Sequence, residues 1–187
     1  MPKAIQCYQS QKYPHKELLI LADGEDVRDL LPPDDESIRL LHLAGAPYIS
    51  EKRNFGCSEA AGDVIVHFDD DDFSAPLRVA DQVSRLLASG LSVTGYCVMR
   101  FSDGTRAWRY AGTGEYALGT SLCYWKQWGL SHPFPAVQVG EDNAFVQVAY
   151  AAGQLISVDA RELMWASIHP GNTSPRTLGS IFQPLAA

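Results

Sequence analysis

Short apolar runs divide the first half of the chain, and each is bounded by polar or turn-forming residues. Runs of this length between polar breaks are typical of buried β-strands. They are Glu17–Ala22, Ile38–Leu43 and Asp63–Phe68. Helical patterns precede or follow them at Ala4–Gln11, Ser50–Ala61 and Ser74–Ser89. Because strands that alternate with helices favour parallel pairing, the pattern predicts an α/β fold with a mostly parallel sheet flanked by helices.

The third of these helices has the clearest amphipathic pattern. Five apolar residues share one face of this helix, and Gly90 follows as a stop signal. They are Val79, Ala80, Val83, Leu86 and Leu87. We therefore expect this helix to pack one face against the sheet.

The second half of the chain is less regular. Ser92–Phe101 predicts a strand that pairs with Arg106–Tyr110 across an Asp103-Gly104 turn. The later elements predicted are a helix at Glu141–Ala152 and strands at Leu155–Val158 and Leu163–Ile168. A length of 187 residues suits a single domain, 1–187.

The composition narrows the class of protein. A formal net charge of −7 disfavours broad, nonspecific nucleic-acid binding, although it leaves room for a local basic groove. No apolar run approaches the ~18 residues that a membrane span needs, and Met1–Gln6 has no apolar signal core. The four cysteines match no zinc pattern and are expected to be reduced, mostly buried thiols. We therefore expect a cytoplasmic protein.

Four consecutive aspartates, Asp69 to Asp72, follow directly after the third predicted strand. Neighbouring carboxylates repel and raise each other's pKa, and a divalent cation removes that cost. Because side chains alternate along an extended chain, Asp69 and Asp71 can point the same way and hold Mg²⁺ or Mn²⁺. The alternative is a solvated acidic turn that caps the next helix. The buried strand before the run favours the metal site.

Other carboxylates lie at element ends. Asp23 ends the first predicted strand, where it could hydrogen-bond a ribose or base, but Asp-Gly is also a common turn. Glu141 and Asp142 begin a predicted helix after Gly140. A carboxylate there is either a helix cap or a general base for an incoming hydroxyl.

A polar loop and a group of aromatic residues complete the candidates. His169 opens the loop His169–Pro175 and is either a metal or phosphate ligand or a structural histidine. Trp108 and Trp125 belong to an aromatic-rich stretch over residues 96–128. Such rings either stack on sugars and bases or fill the core.

These motifs, in this order and spacing, resemble family-two glycosyltransferases of the GT-A fold, a Rossmann-like fold, and in particular a bacterial and phage subgroup. The resemblance covers roughly residues 4–176 and rests on Gln11–Pro14, Glu17–Gly24, Glu51–Asn54, Ala61–Asp72, Gly119–Tyr124, Gly140–Phe145 and His169–Pro175. It implies a nucleotide-binding half at 1–90, an acceptor half at 91–176 and a tail at 177–187.

The resemblance also implies roles for single residues. The donor is a nucleotide-sugar, with a UDP-sugar the first candidate, and the acceptor is a saccharide or another hydroxyl compound. The implied metal ion is Mn²⁺ or Mg²⁺. The implied roles are donor binding by Asp23, Arg53 and Asp69, metal binding by Asp69, Asp71 and His169, and general base catalysis by Asp142. Beyond the resemblance, we predict that Asp70 also binds the donor and that the acceptor is bound by Trp108, Trp125 and Glu141.

The chain departs from this family at one place. Family members usually open with a strand that ends in a Pro-x-Tyr-Asn or Thr-x-Asn motif, whereas this chain begins at the following helix. We therefore expect an N-terminally truncated fold in which Glu17–Ala22 and Asp63–Phe68 each have an open edge. Either the two strands pair directly, or a second copy in a homo-oligomer or the segment Thr177–Leu185 covers the gap.

Three functions compete at this point. The first is a metal-dependent, inverting glycosyltransferase. The second is sugar transfer to a modified DNA base, which the acidic balance disfavours. The basic residues that favour it are Lys52, Arg53, Arg100, Arg106 and Arg109. The third is a non-catalytic binding module that keeps a degenerate form of the fold.

Overall fold

The computed structural model describes residues 1–24, 26–33, 35–43, 45, 48–137, 139–172 and 179–185. The helices are α1 Pro2–Ser10, α2 Ile49–Glu59, α3 Arg78–Ser89, α4 Lys126–Ser131 and α5 Glu141–Ala151. The strands are β1 Leu18–Ala22, β2 Ile38–His42, β3 Val64–Val66, β4 Phe73–Ser74, β5 Val93–Ser102, β6 Ala107–Ala111, β7 Cys123–Trp125, β8 Leu155–Asp159, β9 Met164–Ser167 and β10 Phe182–Pro184. Each helix and strand predicted above coincides with one of these elements, with shifts at the ends.

The main sheet is mixed rather than mostly parallel. Its strand order is β10-β6-β5-β7-β3, with β8 and β9 paired to β5 and β4 paired to β9. Within the described residues of this sheet, five strand pairings are antiparallel and two are parallel. The predicted α/β class is confirmed. The expected dominance of parallel pairing is not seen, because β3 pairs antiparallel with β7 rather than with the strands that precede it.

Strands β1 and β2 form a separate, parallel two-stranded sheet. Leu18–Leu21 of β1 and Val64–Val66 of β3 line a cleft of about 690 Å³. Among the described residues, β1 pairs with β2 only and β3 with β7 only. The expected direct pairing of the two strands is therefore wrong. Cover by Thr177–Leu185 is also wrong, because Phe182–Pro184 pairs with β6 at the opposite end of the main sheet; residues 177 and 178 lie outside the described part.

Helix α3 buries most of the face that its sequence pattern predicts, but Leu87 is 66% exposed. Val79 and Val83 are buried, and Gly90 ends the helix in the left-handed conformation with φ +68°. The helix begins at Arg78 rather than at the predicted Ser74, because Ser74 belongs to β4 and pairs with β9.

The hairpin of β5 and β6 turns at Asp103-Gly104, as predicted. The Asp103 carboxylate accepts hydrogen bonds from the backbone N–H groups of Thr105 and Arg106, at 2.9 and 2.7 Å. Gly104 supplies the positive φ of the turn, +89°. Strand β5 then pairs with three further strands, so this hairpin anchors the main sheet.

All four cysteines are buried and carry free thiols, in keeping with the reduced thiols expected from the sequence. Within the part of the chain described, no helix combines the length and apolarity that crossing a membrane requires.

Candidate active site

Strand β3 leads into an acidic segment that folds into a compact group of carboxylates, called here the acidic cluster. Asp69, Asp71 and Asp72 each offer an oxygen, and these oxygens lie within 4.8 Å of one another. Asp70 points outward, with 69% of its side chain exposed. The alternation of an extended chain predicts Asp69 and Asp71 alone. The chain turns at Asp70 and Asp71 instead, and Asp72 joins the cluster.

The acidic cluster concentrates negative charge in a partly buried place. Burial, and next the charge of Asp69, raise the pKa of the Asp72 carboxyl to about 6. Burial also raises the pKa of the Asp69 carboxyl. Raised values mean that the surrounding groups do not fully compensate the negative charge, and a divalent cation would do so. Three carboxylate ligands suit a hard cation such as Mg²⁺ or Mn²⁺.

Hydrogen bonds from three other parts of the chain hold the cluster in shape. The Thr120 hydroxyl donates to Oδ2 of Asp72 at 2.5 Å, and the backbone N–H of Ser167 donates to Oδ1 at 2.9 Å. Lys3 Nζ and the Ser167 hydroxyl both donate to the backbone carbonyl of Asp71, at 2.6 Å. The acidic turn is therefore held by α1, by the end of β9 and by the segment before β7.

His169 reaches the acidic cluster from the loop after β9. Its Nε2 lies 2.6 Å from Oδ2 of Asp71. The backbone N–H of Gly171 donates to Nδ1 at 3.1 Å, so Nδ1 is the acceptor and Nε2 carries the hydrogen that Asp71 accepts. Asn172 Nδ2 donates to the same carboxylate oxygen at 3.2 Å. The predicted metal residues His169 and Asp71 are thus neighbours, while Thr173–Pro175 of this loop lie outside the described residues.

A buried arginine near the cluster is not among the residues predicted from the sequence. Arg78 has no exposed surface, and its guanidinium donates to the backbone carbonyls of His67 at 2.8 Å and Thr120 at 3.2 Å. It also donates to the Ser74 hydroxyl at 2.7 Å. These bonds tie the end of β3 to the segment that holds the cluster. The signal in the sequence is a charged residue beside Val79 on the apolar face of α3.

The cleft between β1 and β3 opens next to the acidic cluster and contains most of the predicted donor-binding residues. Its lining includes Lys52, Arg53, Asp69 and Asp70. Asp23, just beyond β1, forms an ion pair with Lys52 at 2.5 Å. The hydrogen bond and charge of Lys52 lower the pKa of the Asp23 carboxyl. The structure therefore brings the donor-side predictions to one side of the protein.

Arg53 forms a buried ion pair with Glu141, a residue predicted from the sequence to bind the acceptor. Arg53 Nη1 lies 2.6 Å from Oε1 of Glu141, and the two side chains are only 12% and 8% exposed. The guanidinium also lies 5.4 Å from the ring centre of Phe134. The Glu141 carboxylate is thus engaged inside the protein by a donor-side residue.

Asp142 is the second residue of α5 and is partly exposed. Gly140 precedes the helix in a left-handed conformation, with φ +90°. The Asp142 carboxylate accepts a hydrogen bond from the backbone N–H of Asn143 at 2.8 Å, and its side chain packs against Gly119. Asp142, the residue predicted to be the base, is therefore accessible to solvent and packs against Gly119.

The two tryptophans predicted on the acceptor side lie in different surroundings. Trp125 ends β7 and lines the cleft. Trp108 is 8% exposed and pairs with Phe101 across β5 and β6. The guanidinium of Arg106 lies 5.4 Å from the Trp108 ring centre. Trp108 therefore follows the core-packing alternative that the sequence left open.

Comparison with known families identifies the family to which this chain belongs. A family model described as glycosyl transferase family 2 matches residues 1–152 of the 187. The chain belongs to glycosyl transferase family 2. This match confirms the family resemblance inferred from the sequence motifs. No curated protein gives a significant match in a sequence search.

Solved structures share the fold of this family 2 chain. TarS 1-349 of S. aureus in complex with UDP-GlcNAc superposes with a TM-score of 0.71 and 16% identity, over 90% of this chain and 55% of that one. The mannosyltransferase PcManGT of Pyrobaculum calidifontis, in complex with GDP-Man and Mn²⁺, gives a TM-score of 0.65 and 12% identity, over 91% and 53%. These likenesses confirm the GT-A fold. The family 2 chain spans about half the length of either structure.

Glu141→Gln is expected to destabilise this family 2 domain by about 3 kcal/mol, because it leaves the Arg53 guanidinium buried without its counter-charge. Urea unfolding measures the loss. Arg53→Met combined with Glu141→Leu should recover most of it, and Glu162→Gln, at an exposed position, is the control for the charge change. A loss for Glu141→Gln no larger than that of the control would contradict a stabilising pair.

Proposed function

We propose that this chain binds a nucleotide-sugar donor together with a divalent metal ion and transfers the sugar to an acceptor hydroxyl with inversion. The observation that carries the proposal is the acidic cluster of Asp69, Asp71 and Asp72 at the end of β3 in a chain of glycosyl transferase family 2. Asp69 also lines the cleft that contains Lys52 and Arg53. Carboxylates and basic residues at one cleft suit a metal ion and a diphosphate.

The acidic cluster is the proposed site for Mn²⁺ or Mg²⁺. Asp69, Asp71 and Asp72 would hold the ion, with His169 as a further candidate ligand beside Asp71. When bound, the ion supplies positive charge that stabilises the leaving nucleoside diphosphate. Compared with the sequence prediction, the proposed ligand set gains Asp72.

A UDP-sugar is the proposed donor. The structures of TarS hold UDP-GlcNAc and UDP, and that of PcManGT holds GDP-Man with Mn²⁺. In this chain Asp23 forms an ion pair with Lys52, and Arg53 forms one with Glu141. A bound donor would either share these ion-pair partners or replace them. The proposed donor contacts are Asp23, Arg53, Asp69 and Asp70.

Asp142 is the proposed general base. It is a partly exposed carboxylate at the start of α5, and it would take the proton of the acceptor hydroxyl as the sugar is transferred. Trp125 is the proposed acceptor-side contact because it lines the cleft. Burial of Trp108 and Glu141 argues against direct contacts from these two residues.

Sugar transfer to a modified DNA base has less support from the structure than from the sequence. Among the five basic residues that favour it, the four in ion pairs are Lys52, Arg53, Arg106 and Arg109. Paired charges contribute little to a basic groove. Activity on hydroxymethylated DNA but not on saccharides would favour this alternative. A non-catalytic module would fold normally, bind nucleotide weakly and transfer nothing.

We also propose that the chain forms a homo-oligomer. The edges of β1 and β3 that line the cleft have no strand partner among the described residues, and open strand edges readily pair with another chain. Size-exclusion chromatography with light scattering should therefore give a mass above the 20.5 kDa of one chain. A mass of 20.5 kDa across the concentrations tested would contradict this proposal.

We propose that the two halves of the chain carry different parts of the site. Residues 1–90 carry the donor-side groups, and residues 91–176 carry Asp142 and Trp125. The tail at 177–187 contributes β10 to the edge of the main sheet through its pairing with β6. A cytoplasmic location stays a prediction of the sequence.

Isothermal titration calorimetry tests the proposed donor and metal together. UDP and GDP are titrated into the protein with Mn²⁺ and with a chelator. The expected result is binding that requires Mn²⁺ and is tighter for UDP than for GDP. Absence of metal-dependent binding of any nucleoside diphosphate would count heavily against the proposed function.

A further inference from the structure

Gly119 lies where Asp142, the candidate base, meets the rest of the site. Gly119 is not one of the glycines with positive φ, so its backbone conformation does not itself require glycine. A Cβ atom on Gly119 would overlap Oδ2 of Asp142 and lie 2.7 Å from the Cβ and Cγ atoms of Asp142. Glycine is therefore needed here for space, and the Asp142 side chain occupies that space.

A buried histidine holds Gly119 from another direction. The Gly119 carbonyl lies 2.9 Å from Nδ1 of His67. Because a carbonyl only accepts, Nδ1 carries the hydrogen, and Nε2 is left to accept from the Tyr124 hydroxyl at 3.3 Å. These two hydrogen bonds hold the Gly119 carbonyl against a buried ring at the end of β3.

The next residue connects the same segment to the acidic cluster. The Thr120 hydroxyl donates to Oδ2 of Asp72 at 2.5 Å, and the Thr120 carbonyl accepts from Arg78 at 3.2 Å. Two consecutive residues therefore contact the candidate base and the candidate metal site. One short segment of backbone is thus in contact with both candidate sites.

We propose that Gly119 is a positioning residue that sets the place of the Asp142 carboxylate relative to the acidic cluster. This inference rests on the proposed role of Asp142 as the base. In this role Gly119 acts through Asp142 and not on the substrate itself. A methyl group in its place would push the carboxylate and the start of α5 away. A misplacement of about 1 Å can cost on the order of 10²-fold in rate.

The test is a double-mutant cycle of Gly119→Ala and Asp142→Asn. Gly119→Ala should lower kcat on the order of 10²-fold while Mn²⁺-dependent UDP affinity stays unchanged. In the Asp142→Asn background, Gly119→Ala should cause no further loss of kcat, because its effect passes through the carboxylate. The proposal would be overturned if the two substitutions lowered kcat independently, so that their fold-losses multiplied in the double variant.

Gly112→Ala is the matched control. A Cβ on Gly112 would lie 2.8 Å from the Cys97 carbonyl oxygen, so this substitution also crowds the backbone but does not touch Asp142. It should lower the melting temperature and change kcat by the same factor in both backgrounds. Should Gly119→Ala not fold, Asp142→Glu is the second variant. The longer glutamate side chain would be crowded against the backbone at Gly119, so kcat should fall while UDP affinity is retained. A wild-type kcat would overturn the proposal.

The cycle separates failure of this inference from failure of the proposed function. If Asp142→Asn alone leaves kcat unchanged, the role of Asp142 as base is wrong and the positioning role falls with it. If Asp142→Asn lowers kcat and Gly119→Ala adds its whole loss on top, only the positioning role is wrong.

Discussion

Asp71→Asn is expected to abolish Mn²⁺-dependent binding of UDP while leaving the metal-free fold intact. Loss of a partner that merely supports a metal ligand typically costs about 10–100-fold in metal affinity, so loss of a ligand should cost at least about 100-fold. In the metal-free protein, the charge of Asp71 is one of the causes that raise the pKa of Asp72. Its removal relieves repulsion, so the melting temperature should hold or rise. Calorimetry and thermal unfolding measure the two effects.

Asp29→Asn is the matched control for this charge change. Asp29 is an exposed aspartate outside both the acidic cluster and the lining of the cleft, so its substitution should leave Mn²⁺-dependent binding in place. A sharp fall in the melting temperature of metal-free Asp71→Asn would mean that the aspartates serve the fold rather than a metal ion. The hydrogen bonds from His169 and Asn172 to Asp71 would then be the structural reason.

Asp142→Asn is expected to lower the rate of sugar transfer far more than the affinity for the donor. Removal of a general base typically costs on the order of 10²–10⁴-fold in rate. Donor affinity should hold because Asp142 is not among the residues that line the cleft with Lys52 and Arg53. Steady-state kinetics with a saturating acceptor, together with calorimetry for UDP, separates turnover from binding.

The neighbouring Asn143→Ala substitution controls for disturbance of the start of α5. Asn143 is exposed, so its loss should change turnover little. Equal losses of nucleotide affinity and turnover in Asp142→Asn would remove Asp142 from the role of base. They would point instead to an Asp142 that shapes the donor side, next to the Arg53–Glu141 pair.

The local parts of this fold were predictable because their causes are local. Alternating helix and strand patterns, the apolar face of α3 and the Asp103-Gly104 turn each depend on residues close in sequence. Strand pairing does not. Ile65 pairs with Tyr124 and Thr94 with Ile156, and no local pattern encodes such distant partners. The mixed strand pairing of the sheet could therefore not be predicted from the sequence pattern.

The residues of the candidate site also divide into those with a local sequence signal and those without one. Asp69 and Asp71 follow from a strand that ends in carboxylates, whereas Asp72 joins them through a turn whose shape one sequence does not reveal. Arg53 and Glu141 are 88 residues apart, so their pairing had no local signal. The importance of Gly119 comes from the side chain it lacks, and only the three-dimensional structure shows what fills that space.

A donor screen that measures released nucleoside diphosphate tests most directly whether this chain is a metal-dependent sugar transferase. The protein is incubated with single nucleotide-sugars and saccharide acceptors, in Mn²⁺ or in a chelator. We predict release of UDP from a UDP-sugar that requires Mn²⁺, rises with the acceptor, and is lost in Asp71→Asn and Asp142→Asn. A folded protein that releases no nucleoside diphosphate from any donor, with any acceptor, in Mn²⁺ or Mg²⁺, would contradict this function.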